Sequence, residues 1–249
     1  MGIVEKIYVK NRDREAIIEY SRAREPLSLR ATVMRRREQG ELAVISEFKR
    51  RSPSGFMKDS GTEVDEYVRH VVSLGTDAIS ILTEPSYFAG SYEDIMRVND
   101  IHVPILMKDF VSTVEMVESG YNSGADAVLL IADFLSEDTL IQLTEKASSL
   151  GMDSLVEFHS QAGLQKISRI RNMGNVLIGY NRRNLATMEM DPGCGYIPEV
   201  KRAYPCILES GVNPKSIPLL PLSSFDGVLV GESMINGQMT PEFFRRVNA

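Results

Sequence analysis

Residues 127–132 read Ala127-Val128-Leu129-Leu130-Ile131-Ala132. The run is apolar throughout, too short for a helix, and lacks the alternation that would leave one face wet. Such a run predicts a strand covered on both faces, which is the habit of parallel sheets. Moving outward along the chain, the signature recurs at residues 43–48 (AVISEF), 77–83 (DAISILT), 104–110 (PILMKDF), 154–159 (SLVEFH), 176–181 (VLIGYN), 205–210 (PCILES) and 227–232 (GVLVGE). Strand centres fall roughly 22–35 residues apart, the size of one βα unit. Eight such units predict an α/β fold, a closed (β/α)8 TIM barrel, because an open doubly wound sheet has fewer strands.

Helical signals fill the gaps. Thr62 precedes the stripe Val64, Tyr67, Val68 and Val71. Ser112-x-x-Glu115 reads as a capping box. Ser136 leads Glu137 and Asp138, then Leu140, Leu143 and Ala147, with Gly151 as the stop. Ser160 precedes Leu164 and Ile167, and Pro192, Pro214 and Pro241 suit first helical turns. Pro218 and Pro221 break the connection before the last strand. Ahead of the first strand, residues 11–39 (Ile17, Ile18, Tyr20, Leu27, Leu29, Met34) read as extra helical material packed on the barrel. No linker separates a second domain. Residues 1–249 are therefore expected to form one barrel domain, with residues 1–42 as its helical extension.

The chain has 249 residues, a length that suits one such barrel. It is 43% hydrophobic and 25% charged with a net charge of −6, and an acidic chain without a basic stripe is a poor nucleic-acid binder. Arg35-Arg36-Arg37, beside Glu38, reads as a solvated helix face. Cys194 and Cys206 have no metal or redox spacing, and His70, His102 and His159 form no zinc pattern. There is no apolar signal core and no run that could span a bilayer. The expectation is a cytoplasmic monomer acting on a small phosphorylated, anionic substrate, with no nucleic-acid or membrane partner.

Barrel active sites lie at the C-terminal ends of the strands. Charged and polar residues fall late in these runs: Glu47 and Lys49, Lys108 and Asp109, Glu157 and His159, Asn181, Glu209 and Ser210, then Gly231, Glu232 and Ser233. Residues two apart share a face, so Glu47 projects with Lys49 and Glu157 with His159. Ionised groups are costly to bury, which predicts that they pair in a pocket mouth. A salt-bridged cap without chemistry is the plain alternative for the acids and lysines, and a satisfied loop-start side chain is the expectation for His159. Ser210-Gly211 and Gly231-Glu232-Ser233 supply amides and hydroxyls where barrels bind phosphate, with Ser52 and Arg183 as further donors.

In these segments the chain resembles the indole-3-glycerol-phosphate synthases. The resemblance is carried by Glu47-x-Lys49-x-x-Ser52-Pro53-Ser54, Leu82-Thr83-Glu84-Pro85 with Phe88-x-Gly90-Ser91, Lys108-Asp109-Phe110 and Ala125-Asp126-Ala127-Val128-Leu129-Leu130. It continues in Val156-Glu157-x-His159, Asn181-x-Arg183-Asn184-Leu185, Glu209-Ser210-Gly211 and Val230-Gly231-Glu232-Ser233. It implies closure of 1-(2-carboxyphenylamino)-1-deoxyribulose 5-phosphate to indole-3-glycerol phosphate, with loss of carbon dioxide and water and with no cofactor or metal. It makes Lys108 the general acid and Lys49 the carboxylate holder. Glu157 becomes the general base, assisted by Glu47, with Asn181 and Ser210 orienting these groups. Phe88, Phe110, Leu129 and Leu185 form the aromatic slot, and Ser52, Arg183, Glu209, Gly211, Gly231, Glu232 and Ser233 complete the binding set. Two nearby lysines would depress each other's pKa, and neighbouring glutamates would oppose this. Arg182, Gly193-Cys194-Gly195 and the proline-broken segment depart from the family pattern. The rivals are another phosphosugar isomerase or aldolase, with Lys108 as a Schiff-base nucleophile, and a non-catalytic phosphate-ligand binder.

Overall fold

A strand walled in on both faces needs partners on both edges and cover above and below, and a barrel ringed by helices supplies both. The computed structural model describes residues 2–17, 19, 22, 24–53, 55, 57, 63–171, 174–192, 194 and 204–247. Each apolar run contains a strand: β1 Ala43–Phe48, β2 Ala78–Leu82, β3 Ile105–Lys108, β4 Ala127–Ile131, β5 Asp153–Phe158, β6 Val176–Asn181, β7 Cys206–Glu209 and β8 Gly227–Val230. All pair in parallel with their neighbours in sequence, and β8 returns to β1 from Ala43↔Gly227 to Ser46↔Val230. The chain is a closed (β/α)8 TIM barrel. Pro104 and Pro205 stand just outside β3 and β7 because they have no N–H to give. They contribute only carbonyls, to the amides of Ile79 and Ile178.

The described helices are α1 Ile3–Asn11, α2 Leu29–Glu38, α3 Val64–Ser73, α4 Tyr92–Met96, α5 Val114–Ser123, α6 Glu137–Ser149, α7 Gln161–Ile167, α8 Glu232–Ile235 and α9 Pro241–Val247. Val64, Tyr67, Val68 and Val71 form the buried stripe of α3. Ser136 caps α6 by accepting from the Thr139 amide, Ser160 caps α7, and Gly151 follows α6 with φ 73°. The cap of α5 is Thr113 rather than a Ser112–Glu115 box. Val114 is the first helical residue, so the amide in need of an acceptor is that of Met116, three residues after Thr113. Only short 3₁₀ turns, Ile217–Leu219 and Leu222–Ser224, connect β7 to β8, as two missing proline amides require; Pro214 lies in the turn before them and starts no helix. Ile18, Tyr20, Ser54, Thr62, Gly193 and Gly195 lie outside the described residues.

The N-terminal region differs from the expectation of a helical stretch over residues 11–39. One helix, α1, comes earlier, the other, α2, spans Leu29–Glu38, and the described residues between Arg12 and Ser28 are not helical. Long-range side-chain bonds hold that segment in place of a helix ladder. Asp126, fully buried at the start of β4, accepts from Arg22 at 2.8 Å, from Arg24 at 2.7 Å and from the Leu27 amide at 2.9 Å. Asp153, at the start of β5, takes Ser28 Oγ and the Arg30 amide. The arginine run is not simply solvated either. Arg36 pairs with Asp77 at 2.7 Å and Arg37 with Asp226 at 3.4 Å, which ties α2 across the N-terminal face of the barrel. At the other end of the strap, Asn11 donates to Asp109 at 2.7 Å and Tyr8 meets Phe110 edge-on at 5.7 Å, so α1 sits at the C-terminal end of the strands.

Candidate active site

Alternation along each strand turns Glu47 of β1, Lys108 of β3, Glu157 of β5, Asn181 of β6 and Glu209 of β7 into the barrel. Register pairs Glu157 with Gly179 and Asn181 with Glu209, two residues further along, so these side chains face the same interior near the strand ends. Lys108 Nζ lies 2.7 Å from Glu209 Oε2 and 3.3 Å from Glu47 Oε2. The other oxygen of Glu47 accepts from Lys49 at 3.0 Å. Glu47 thus bridges the two lysines. Across the barrel, Asn181 Nδ2 donates to Glu157 Oε1 at 2.7 Å.

The electrostatics separate the two acids. Burial alone would raise the Glu47 pKa, but Lys49 and Lys108 hold it down at about 2. At Glu157 burial acts first and the facing charge of Glu209 second. Together they outweigh Lys108 and the Asn181 hydrogen bond and push the carboxyl up to about 8. Burial also works against the charge of Lys108, yet Glu209, Glu47 and Glu157 overcome it and raise its pKa well above the usual lysine range. The mutual depression expected of two lysines is therefore outweighed at Lys108 by three carboxylates.

Glu47, Lys49, Lys108, Glu157 and Asn181 form the polar wall of a cavity of about 330 Å³. Phe88, Phe110, Leu129 and Leu185 line its apolar side, and Phe88 and Phe110 have centroids 6.0 Å apart. The fully buried Glu84 aims Phe88, because its carboxylate accepts the backbone N–H groups of Ser86, Tyr87 and Phe88 at 2.8, 2.6 and 3.1 Å. Ser52, Arg183, Ser210, Gly211, Gly231, Glu232 and Ser233 line the remaining rim. Of the residues singled out in the sequence as catalytic or binding, only Glu209 is not on the lining, as it stands behind Lys108.

Several details differ from the local reading. The Ser233 hydroxyl donates to the Val212 carbonyl at 3.2 Å, and Glu232 lies 3.4 Å from Lys49. Both are thus engaged with protein groups. Ser210 and Gly211 have φ of 67° and 69°, a left-handed pair that turns the chain sharply after β7. A Cβ on Gly231 would stand 2.6 Å from Glu47 Oε1, so this glycine makes room for the charge cluster. His159, by contrast, is the satisfied side chain expected of it: it does not line the cavity, its Nδ1 lies 2.8 Å from the Asn181 carbonyl oxygen and its ring stacks on Tyr180. Arg182 likewise stays off the lining and donates to the Asp191 carbonyl at 3.1 Å. Ile3, Val4 and Ile7 of α1 line the cavity and were missed. The signal was the i, i+3, i+4 spacing of Val4, Ile7 and Tyr8, interrupted by Glu5 and Lys6. Among the described residues no three His, Cys, Asp or Glu side chains gather as metal ligands, and no helix is long and apolar enough to cross a membrane.

Fold and strand-end cluster together define a (β/α)8-barrel enzyme. Solved structures share the fold at low identity. 3-Keto-L-gulonate-6-phosphate decarboxylase from Vibrio cholerae aligns with a TM-score of 0.62 at 14% identity, covering 84% of this chain and 97% of that one. The tryptophan synthase alpha subunit from Legionella pneumophila aligns at 0.55 and 14%, covering 87% and 93%. The particular family comes from sequence. The model of the indole-3-glycerol phosphate synthase family matches residues 4–247. The indole-3-glycerol phosphate synthase of Picrophilus torridus is 40% identical over 94% of this chain and 92% of its own length. That of Thermoplasma volcanium is 40% identical over 96% of each. The chain belongs to the indole-3-glycerol phosphate synthase family, and is thereby a decarboxylating lyase of tryptophan biosynthesis.

Proposed function

We propose that this chain closes the ring of 1-(2-carboxyphenylamino)-1-deoxyribulose 5-phosphate to give indole-3-glycerol phosphate, with lysine as acid and glutamate as base. The observation that carries the reading is Glu47 bridging Lys49 and Lys108 on one wall of the cavity, with a high-pKa Glu157 facing them. As the aryl carbon attacks the carbonyl, the oxygen gains negative charge and takes a proton from Lys108. The ring carboxylate, held by Lys49, leaves as carbon dioxide and restores the aromatic ring. Dehydration then needs an acid for the departing hydroxyl, supplied by Lys49, and a base for the proton lost with it, supplied by Glu157 with Glu47 assisting. Such proton transfers typically contribute about 10²–10⁴-fold each.

Asn181 and Ser210 orient these groups in this scheme. Phe88, Phe110, Leu129 and Leu185 hold the aromatic ring, and Ser52, Arg183, Gly211 and Gly231 receive the phosphate largely through amides and the guanidinium. Glu209 acts through Lys108 rather than by touching substrate. A Schiff-base role for Lys108 is disfavoured because its carboxylate neighbours keep the amine protonated, and a protonated amine is no nucleophile. We further propose that residues 1–249 work as one catalytic unit, a cytoplasmic monomer that takes a small anionic substrate and no nucleic acid. The test is direct: purified protein is mixed with the carboxyphenylamino-deoxyribulose phosphate and indole fluorescence is followed. Turnover is expected, and a flat trace at substrate saturation overturns the assignment.

A further inference from the structure

Glu209 reaches the cluster across β6. Its Oε2 is held by Lys108 at 2.7 Å, while Oε1 is buried without a hydrogen-bond partner if both acids are counted as carboxylates. The position of Oε1 is unusual: a Cβ built on Gly179 would lie only 2.1 Å from it. The carboxylate therefore occupies the space that any other residue at position 179 would fill. Gly179 is the register partner of Glu157, so an oxygen lying over Gly179 is brought beside the Glu157 carboxyl, within hydrogen-bonding reach. On its other side the Glu157 carboxyl accepts from Asn181 Nδ2 at 2.7 Å, and Glu209 is its other named hydrogen-bonding neighbour.

Two carboxylates in contact inside a barrel repel strongly unless a proton lies between them. We infer that Gly179 is a positioning residue, whose missing side chain opens the gap in which Glu157 and Glu209 share one proton, carried by Glu157 and donated to Glu209 Oε1. The proton satisfies the otherwise orphaned oxygen and leaves the Glu209 charge free to hold Lys108. The groups that face Glu157 are consistent with this. Lys108 of β3 is already claimed by Glu209 and Glu47, and Asn181 of β6 is neutral. The Tyr8 phenol of α1 stays protonated, because burial, Glu157, Asp109 and Asp133 all raise its pKa. Asp133, beyond β4, accepts from the His159 and Ser160 amides. In the proposed mechanism, on whose base role for Glu157 the consequence for catalysis rests, the pair sets the pH at which that base becomes available.

The test reads the proton itself and does not depend on turnover. Infrared spectra of the ligand-free protein are recorded through a pH titration, and the carbonyl band of protonated carboxyl is assigned by difference against Glu157→Gln, which cancels other raised acids such as Asp153. The wild type is expected to keep the Glu157 band at neutral pH and lose it as pH rises past about 8. In Glu209→Gln the partner charge is gone, and in Gly179→Ala the added methyl displaces Oε1 by on the order of 1 Å. Both variants are expected to lose the band at a pH lower by about one unit or more. Overturning results are a wild type without a Glu157 band at neutral pH, or unchanged midpoints in either variant. A protein that shows the band but forms no indole product would sink the enzymatic reading and leave the shared proton standing.

Discussion

Replacing Glu157 by glutamine should stabilise the folded protein in alkaline solution while removing its activity. The folded-state pKa of about 8 lies above the ordinary glutamate value of 4.5, so the folded chain holds a proton that the unfolded chain releases first. The sign follows. Between those two values the unfolded state binds fewer protons, and stability falls as pH rises. The favourable contribution is complete below about 4.5 and gone above about 8. A difference of roughly 3.5 units at about 1.4 kcal/mol each gives a ceiling near 5 kcal/mol. The substituted carboxamide has nearly the same shape, still accepts from Asn181, and has no proton to lose. Urea unfolding of both proteins, repeated from pH 4.5 to 9, should therefore show nearly equal stabilities at the acid end. The Glu157→Gln protein should become more stable by a few kcal/mol at the alkaline end. A stability difference that stays constant over that range would refute the reasoning, because it would mean that Glu157 titrates alike in both states.

Two further substitutions probe other parts of the account. Gly231→Ala drives a methyl group toward Glu47 Oε1, 2.6 Å away, so kcat should fall by about tenfold or more through displacement of the Glu47–Lys49 pair. A change confined to KM for the phosphorylated substrate would instead place the effect at the phosphate rim. Asp126→Ala strips the acceptor from Arg22, whose side chain is 1% exposed, and from Arg24. Stability should drop by about 3–5 kcal/mol, measured by chemical denaturation, since an uncompensated charge is left buried; a loss below about 1 kcal/mol would show that the strap is held by something else.

The barrel was legible because its strands have no wet face: 43–48 and 176–181 are strands to the residue, and Ala127 to Ile131 is β4. Errors at other strand ends have local causes such as the missing amides of Pro104 and Pro205. The polar residues late in six of the eight runs marked the cavity wall, and period-two alternation put Glu47 and Lys49 on one face before any contact is known; the same rule joined His159 to Glu157, yet His159 does not line the cavity. What the sequence concealed acts at a distance. The 12–28 segment is held by Arg22 and Arg24 on Asp126, about a hundred positions away, and no local pattern announces such a bond. The same holds for Glu209 behind Lys108 and for the oxygen lodged over Gly179, where close approach between strands decides which charge meets which. Gly231 lies on the cavity rim, but that a Cβ there would press on Glu47 depends on β1 lying beside β8 and could not be read from its own segment.

The central claim is that the charge cluster at the strand ends performs the ring closure, and Lys108 is its hub. Single-turnover formation of indole-3-glycerol phosphate by wild type and Lys108→Ala, followed by fluorescence with each sample's folded fraction fixed by circular dichroism, isolates that claim. The folded variant is expected to be slower by about 10²–10⁴-fold. It is also expected to be less stable, because Glu47 and Glu209 lose their shared cation. A folded Lys108→Ala protein that turns over at the wild-type rate would contradict the account.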